Sequence, residues 1–137
     1  MTAVTVTKKM TLQSQSFRHA MEHYTADALT AAAGKATWMV PCKGRIAAIQ
    51  IKSGAAGTGS GNTVIDINKN GTSIFSTSGN KPTLLAADSG FYTVGEMDAE
   101  NGPMVEEGDI ISYDVDSVPN SAGPTLTSVL ISIVFAP

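Results

Sequence analysis

The stretch "TVIDINKNGTSIF", residues 63–75, decides how this chain is read. Ile65 and Ile67 alternate with Asp66 and Asn68, the period-two pattern of a strand with one apolar face. Asn70-Gly71 follows, the strongest short-range hairpin signal, because both central residues of a type I′ turn take positive φ, which Asn and Gly tolerate. Residues 72–75 then return antiparallel, and Ile65, Ile67 and Ile74 are expected in a core. The stretch specifies shape, and no catalytic set of side chains stands near it in sequence.

Outward from the hairpin, short β-type runs recur with turn signals between them, which predicts an all-β sandwich or barrel after about residue 36. "TWMVP" leads into "GRIAAIQIK", where Ala47, Ile49 and Ile51 are expected to face one way and Ile46, Ala48 and Gln50 the other. "SGAAGTGSGN" (53–62) reads as a strand connection. "KPTLLAADSGFYTV" holds one or two short strands. In "DIISYDVD" Ile111, Tyr113 and Val115 share a face, and in "TLTSVLISIVF" Val129, Ile131, Ile133 and Phe135 point inward. Seven or eight strands suffice for two sheets packed about an Ile and Val core.

Residues 1–35 behave differently and are read as an N-terminal arm, with the sandwich domain at 36–137. "AVTVTKKMTLQSQ" is polar and β-prone with little to bury. "SFRHAMEHYTADALTAAAG" fits two states. A helix would start at Ser16, carry Phe17, Met21, Tyr24 and Ala28 as its stripe and end at Gly34. An extended chain lying on a neighbour would need no period. Residues 1–25, fully extended, reach about 80 Å at ~3.3 Å per residue, so an arm could clasp another subunit.

Composition narrows the function classes. The chain has 137 residues, enough for one domain, with 42% hydrophobic and only 15% charged residues, against a usual ~25% charged. Its surface is therefore rich in Ser, Thr, Gly and Asn, which suits contact with other proteins. One cysteine rules out an internal disulfide, the N-terminus lacks the apolar core of a signal peptide, and no apolar run spans a bilayer. The expectation is synthesis in a cytosol with no membrane partner. Residues 1–81 carry nine bases and three acids, net +6; residues 82–137 carry nine acids and no base, net −9. Either the halves interleave as neighbouring strands and neutralise each other, or they meet between subunits and set register.

No residue is nominated as catalytic, cofactor-binding or metal-ligating. His19 and His23 have the helical spacing of zinc ligands, yet "HAMEH" lacks the Glu after the first His and a third ligand. Cys42, beside Lys43 and Arg45, reads as a small buried apolar residue. The glycines of 53–62 run into a strand, whereas a phosphate loop opens a helix. After Asp114 and Asp116 a calcium loop would need Gly where Pro119 stands and a closing Glu; that run, like "EMDAENGPMVEEGD", reads as a solvated acidic loop. Scattered bases and a sequence pI near 5.2 disfavour nucleic acid. Asn70-Gly71-Thr72 has the form of a glycosylation acceptor but reads as a turn.

The ordered series "WMVPCKGRIAAI", "VIDINKNGTSIF", "KPTL", "VEEGDIISYDVD" and "LTSVLISI" resembles the jelly-roll domains of tailed-bacteriophage virion proteins over roughly residues 36–135. The matching positions are Pro41, Gly44 and Ile46 at a strand entry, Asn70 and Gly71 in a hairpin, and Gly108 and Asp109 in a turn before a penultimate strand. The resemblance implies a jelly-roll-like β-sandwich and a structural, non-enzymatic role. The expected role is a capsid decoration (cement) protein on the virion surface, made in the host cytoplasm, forming a homo-oligomer (trimer or dimer) and bridging major capsid protein subunits. The alternative is a receptor-binding head of a fibre or tail tip, using loops 53–62, 77–82 and 117–124.

Overall fold

The computed structural model describes residues 19–25, 30–55, 61–85, 92–93, 97–98, 101–118 and 127–136. Its strands are β1 (His19–Thr25), β2 (Ala32–Met39), β3 (Gly44–Ala55), β4 (Asn62–Lys69), β5 (Thr72–Ser73), β6 (Thr83–Leu85), β7 (Tyr92–Thr93), β8 (Met104–Val105), β9 (Ile110–Ser117) and β10 (Thr127–Ala136). A single 3-10 turn, Ser78–Asn80, is the only helical piece among the described residues.

Two antiparallel sheets result. Sheet A runs β1-β10-β3-β7, with β8 also on β3; sheet B runs β2-β9-β4-β5, with β6 also on β4. The pairings nest: β1 with β10, β2 with β9, β3 with β7 and β8, β4 with β5 and β6. The chain is one long antiparallel hairpin folded over on itself, closed by the contacts β10 to β3 and β9 to β4. That nesting is the jelly-roll arrangement of a β-sandwich.

The core is drawn from alternate residues of both sheets. Ile65, Ile67, Ile74, Ile111, Tyr113, Val115, Ile131, Ile133 and Phe135 are all buried, as their spacing predicts. Isoleucine dominates this core because a β-branched side chain is stiff at χ1 and packs well on a pleated surface.

β3 departs from simple alternation. Ile133 pairs with Ile49 and Val134 with Ala48, but Phe135 pairs with Ile46, leaving Ala47 as an extra residue in a bulge. The extra residue shifts the facing by one, so Ile46, Ile49 and Ile51 are all buried together. The expectation that Ile46 faces away from Ile49 is corrected by this bulge, and Ala47 is half-buried rather than core.

The segment read as ambiguous between helix and arm is strand where it is described. Met21 is buried from β1, Tyr24 is exposed on the opposite side, and Gly34 lies inside β2 with φ +61°. β1 and the first half of β2 therefore lie within residues 1–35, and among the described residues the first strand of the sandwich is at 19–25, ahead of the expected boundary at 36. Residues 1–18, including Ser16 and Phe17, lie outside the described residues, as do Ala28, residues 56–60 of loop 53–62 and residues 119–124 of loop 117–124.

The hairpin forms as read. Asn70 has φ +52° and Gly71 φ +83°, and Lys69 pairs with Thr72 across the turn. Asn70 also acts at long range: its side-chain NH2 donates to Asp109 Oδ1 at 2.9 Å, and its Oδ1 accepts the Ile110 N–H at 2.9 Å. The return strand is shorter than expected because Ser73 Oγ accepts the Phe75 N–H at 3.1 Å, turning the chain out of the ladder.

Two stability predictions follow from these local observations. Asn70-Gly71→Ala-Ala lowers unfolding free energy by about 1–3 kcal/mol through strain at positive φ, read by chemical denaturation; an unchanged midpoint would contradict the turn. Thr63 is 1% exposed and its Oγ1 has no hydrogen-bond partner among the described residues. Thr63→Val should stabilise by about 1 kcal/mol, since the hydroxyl is desolvated without compensation; a loss of stability would show that a partner exists.

Candidate functional site

β4 is buried on both sides, and this shapes the polar chemistry of the molecule. Ile65 and Ile67 face the core, while Asp66 and Asn68 on the outer side of sheet B are also buried, at 7% and 8% exposure. Asp66 stands directly opposite Asp114 of β9. Two carboxylates facing each other across a ladder repel, so each needs its own partners.

The partners come from four separate segments. Lys81 Nζ lies 2.9 Å from Asp66 Oδ2 and 2.7 Å from Asp116 Oδ2. Ser73 Oγ donates to Asp66 Oδ1 at 2.6 Å. Asn68 Nδ2 donates to Asp114 Oδ2 at 2.9 Å, and the Gly34 N–H donates to Asp114 Oδ1 at 2.7 Å. Asp116 reaches Lys81 because β9 carries an extra residue there: Val64 pairs with Ser117 and Ile65 with Val115. Gly34 reaches Asp114 because residues 33–35 bulge between the pairs Ala32–Val115 and Ala36–Tyr113. The Asp116 carboxylate, opposed by burial and assisted by Asp66, holds the Lys81 ammonium above its ordinary pKa.

A second cluster sits at the Asn70 end. The Gly108 turn, at φ +90°, lets Asp109 Oδ2 accept the Glu106 N–H at 2.8 Å while its Oδ1 takes the Asn70 amide. Burial would raise the Asp109 pKa, but these two donors and the charge of Lys69 outweigh it and hold the carboxyl below the usual range. Backbone bonds from Val40 to Asp109 and from Gly108 to Val40 tie the end of β2 to the same turn. Lys69 crosses to sheet A and donates to the Met104 carbonyl at 2.9 Å.

Between the sheets, His23 Nδ1 is 2.7 Å from the Tyr113 hydroxyl, and the half-buried Trp38 stacks on Tyr113 with ring centroids 6.1 Å apart. This joins β1 of sheet A to β9 and β2 of sheet B. Burial raises the Tyr113 pKa, keeping the hydroxyl neutral.

The residues weighed in the sequence fall as follows. His19 and His23 both lie on a strand, about 13 Å apart along it at ~3.3 Å per residue, so the helical spacing of zinc ligands does not arise. Cys42 is a buried free thiol in the core cluster, while Lys43 is exposed and pairs with Glu106 at 3.5 Å. Asp114 and Asp116 are engaged by protein partners rather than grouped as an open loop. Among the described residues no group of three His, Cys, Asp or Glu could hold a metal ion, and no helix is long and apolar enough to cross a membrane.

Two ion pairs join the basic and acidic halves within one subunit, Lys81–Asp116 and Lys43–Glu106. Sequence reading missed the Lys81 network because its bonded partners lie 7 to 80 residues apart in the chain; the available signal was two polar residues, Asp66 and Asn68, in a strand with neighbours on both sides. Lys81→Ala leaves two carboxylates without a cation and should destabilise by about 2–4 kcal/mol. Because the folded-state pKa of Lys81 is raised, its contribution is complete below about pH 10 and is lost as pH climbs through the folded value. Denaturation of wild type and Lys81→Ala should therefore converge at strongly alkaline pH, and a difference independent of pH would refute the electrostatic account.

Comparison of the chain with protein-family models, with curated proteins and with solved structures found no match.

Proposed function

We propose that this protein is a structural virion protein, a capsid decoration part that self-assembles and bridges major capsid subunits. The observation that carries the reading is the nested strand order, taken with the turn positions Pro41, Gly44, Asn70, Gly71, Gly108 and Asp109 that resemble jelly-roll domains of phage virion proteins. Jelly rolls also build lectins and cupins, so the role is argued from what the side chains do. Among the described residues, the ionisable side chains with perturbed pKa values, Lys81, Asp109 and Tyr113, are each held by partners that join strands or sheets. Such a molecule is built to keep its shape under load.

The decoration role works through area. A standard protein interface buries about 1,600 Å², and a symmetric oligomer spanning several shell subunits multiplies that contact through avidity. The exposed polar surface and low charge density favour this mode, since few charges need to be desolvated.

The test is to mix purified protein with bare capsids of the cognate phage and image them. Added density at symmetry axes, with raised resistance of the shells to heat, is the expected result. Binding of the isolated protein to host cells, with none to shells, would overturn the reading in favour of a receptor-binding head.

A further inference from the structure

The chain contains two Asn-Gly sequences, Asn70-Gly71 and Asn101-Gly102. This dipeptide is prone to deamidate itself, because glycine leaves its main-chain nitrogen unshielded and free to approach the asparagine side chain. The glycine nitrogen attacks the asparagine Cγ, the Cγ–Nδ2 bond breaks, and ammonia leaves with the proton of the attacking nitrogen. Water then opens the cyclic imide at either carbonyl, giving aspartate or isoaspartate.

The fold treats the two sequences differently. Gly102 is buried, and a Cβ there would meet Ile74 at 3.1 Å and Met97 at 3.3 Å. Its N–H, the nucleophile, donates to the Asp98 carbonyl at 3.0 Å. Asn101 Nδ2, the leaving group, donates to the carbonyls of Thr72 at 2.9 Å and Ser73 at 2.8 Å. Both reacting groups are held by main chain in a packed loop.

Asn70 and Gly71 are exposed at the hairpin tip, and among the described residues nothing lies within 4 Å of where a Cβ on Gly71 would stand. Packing does not restrain this peptide. Its restraint is the side-chain clamp, in which Nδ2 donates to Asp109 Oδ1 and Oδ1 accepts the Ile110 N–H, each at 2.9 Å. These two bonds hold the amide against the turn before β9. The ring closes only when Cγ swings back onto the Gly71 nitrogen, which breaks both.

We propose that Asn70 is a self-modification site of this protein, held unreacted while the Asn70–Asp109 clamp is closed and converted to aspartate or isoaspartate when the clamp opens. The conversion makes the opening permanent. The new carboxylate has no N–H to give Asp109 and faces it at hydrogen-bond distance, where like charges repel. Isoaspartate also adds a main-chain carbon to the turn joining Lys69 to Thr72, whose length sets the register of β4 and β5. The hairpin tip is then untied from the turn at Gly108 and Asp109 that also holds Val40 of the β2 end.

The test follows deamidation at each asparagine by peptide mass spectrometry, in mildly alkaline buffer, for the full-length wild type folded and in urea and for folded Asp109→Ala. Unfolded wild type should react at both sites. Folded wild type should react more slowly, and at Asn70 ahead of Asn101. Asp109→Ala should speed the reaction at Asn70 roughly tenfold, the effect on local opening of losing about one hydrogen bond, with Asn101 unchanged. Reaction at Asn70 as fast in folded as in unfolded wild type, or at Asn101 first, overturns the proposal, as does an Asp109→Ala rate equal to wild type. Acceleration at both sites alike would signal loss of the variant's fold, and the wild-type order then decides. Asn70→Asp reproduces the product directly. Because Asp-Gly also favours a type I′ turn, the expected drop in its denaturation midpoint reports the clamp rather than the turn, and an unchanged midpoint overturns the claim that conversion keeps the clamp open.

Discussion

Continuity of the inner faces along strands of unequal length is the constraint on which the rest of this structure depends. A strand gives every second residue to the core, so one misplaced residue turns all that follow outward. The extra residue at Ala47 corrects the facing of β3 against β10. Ile46 therefore buries beside Phe135 at one end while Ile49 and Ile51 bury at the centre. Without it, sheet A would present alanine and glutamine to the core where isoleucine now stands.

The same device works on the outside of sheet B. Extra residues at 33–35 and at Asp116 fall between core pairs, so they leave the facing of Ile65, Ile111 and Val115 intact. Each delivers a polar group to the network on that face: the Gly34 N–H to Asp114, and the Asp116 carboxylate to Lys81. Lys81 satisfies Asp66 in turn. A half-buried lysine with two carboxylates is weak evidence of stability in itself, because desolvation offsets much of the attraction. Its consequence here is specificity. Asp66 and Asp114 are opposite each other only in one register, and only that register brings all their donors within reach.

How much of this was legible in the sequence depends on the distance over which each feature is determined. The Asn70-Gly71 turn, the alternation in 110–117 and the apolar face of Ile131, Ile133 and Phe135 are local, and period and turn chemistry suffice for them. β1 was not legible as a strand, since its inward residues Met21, His23 and Thr25 are only weakly apolar, and His23 is accommodated inside only because Tyr113, 90 residues away, supplies a partner. β8, a two-residue strand inside a run of acids, is held by pairing with Gly44 and Arg45 and has no period to detect. The Ala47 bulge was hidden for a different reason: Ala-Ala reads equally well on either face, so the sequence is neutral where the geometry makes its choice. The proposed role drew on turn positions and composition, while the Lys81 network and the His23–Tyr113 contact required the fold first.

Those two contacts also bear on what kind of part this is. His23–Tyr113 ties the outermost strand of sheet A to sheet B, and the Asn70–Asp109 clamp ties the hairpin tip to the turn before β9. Both pin elements at the periphery, where strands and turns otherwise fray first. Pinning β1 matters because its ladder to β10 holds it from one side, and a side-chain bond to the opposite sheet fixes the same strand from within. The contacts made inside this sandwich thus fix its periphery as well as its core.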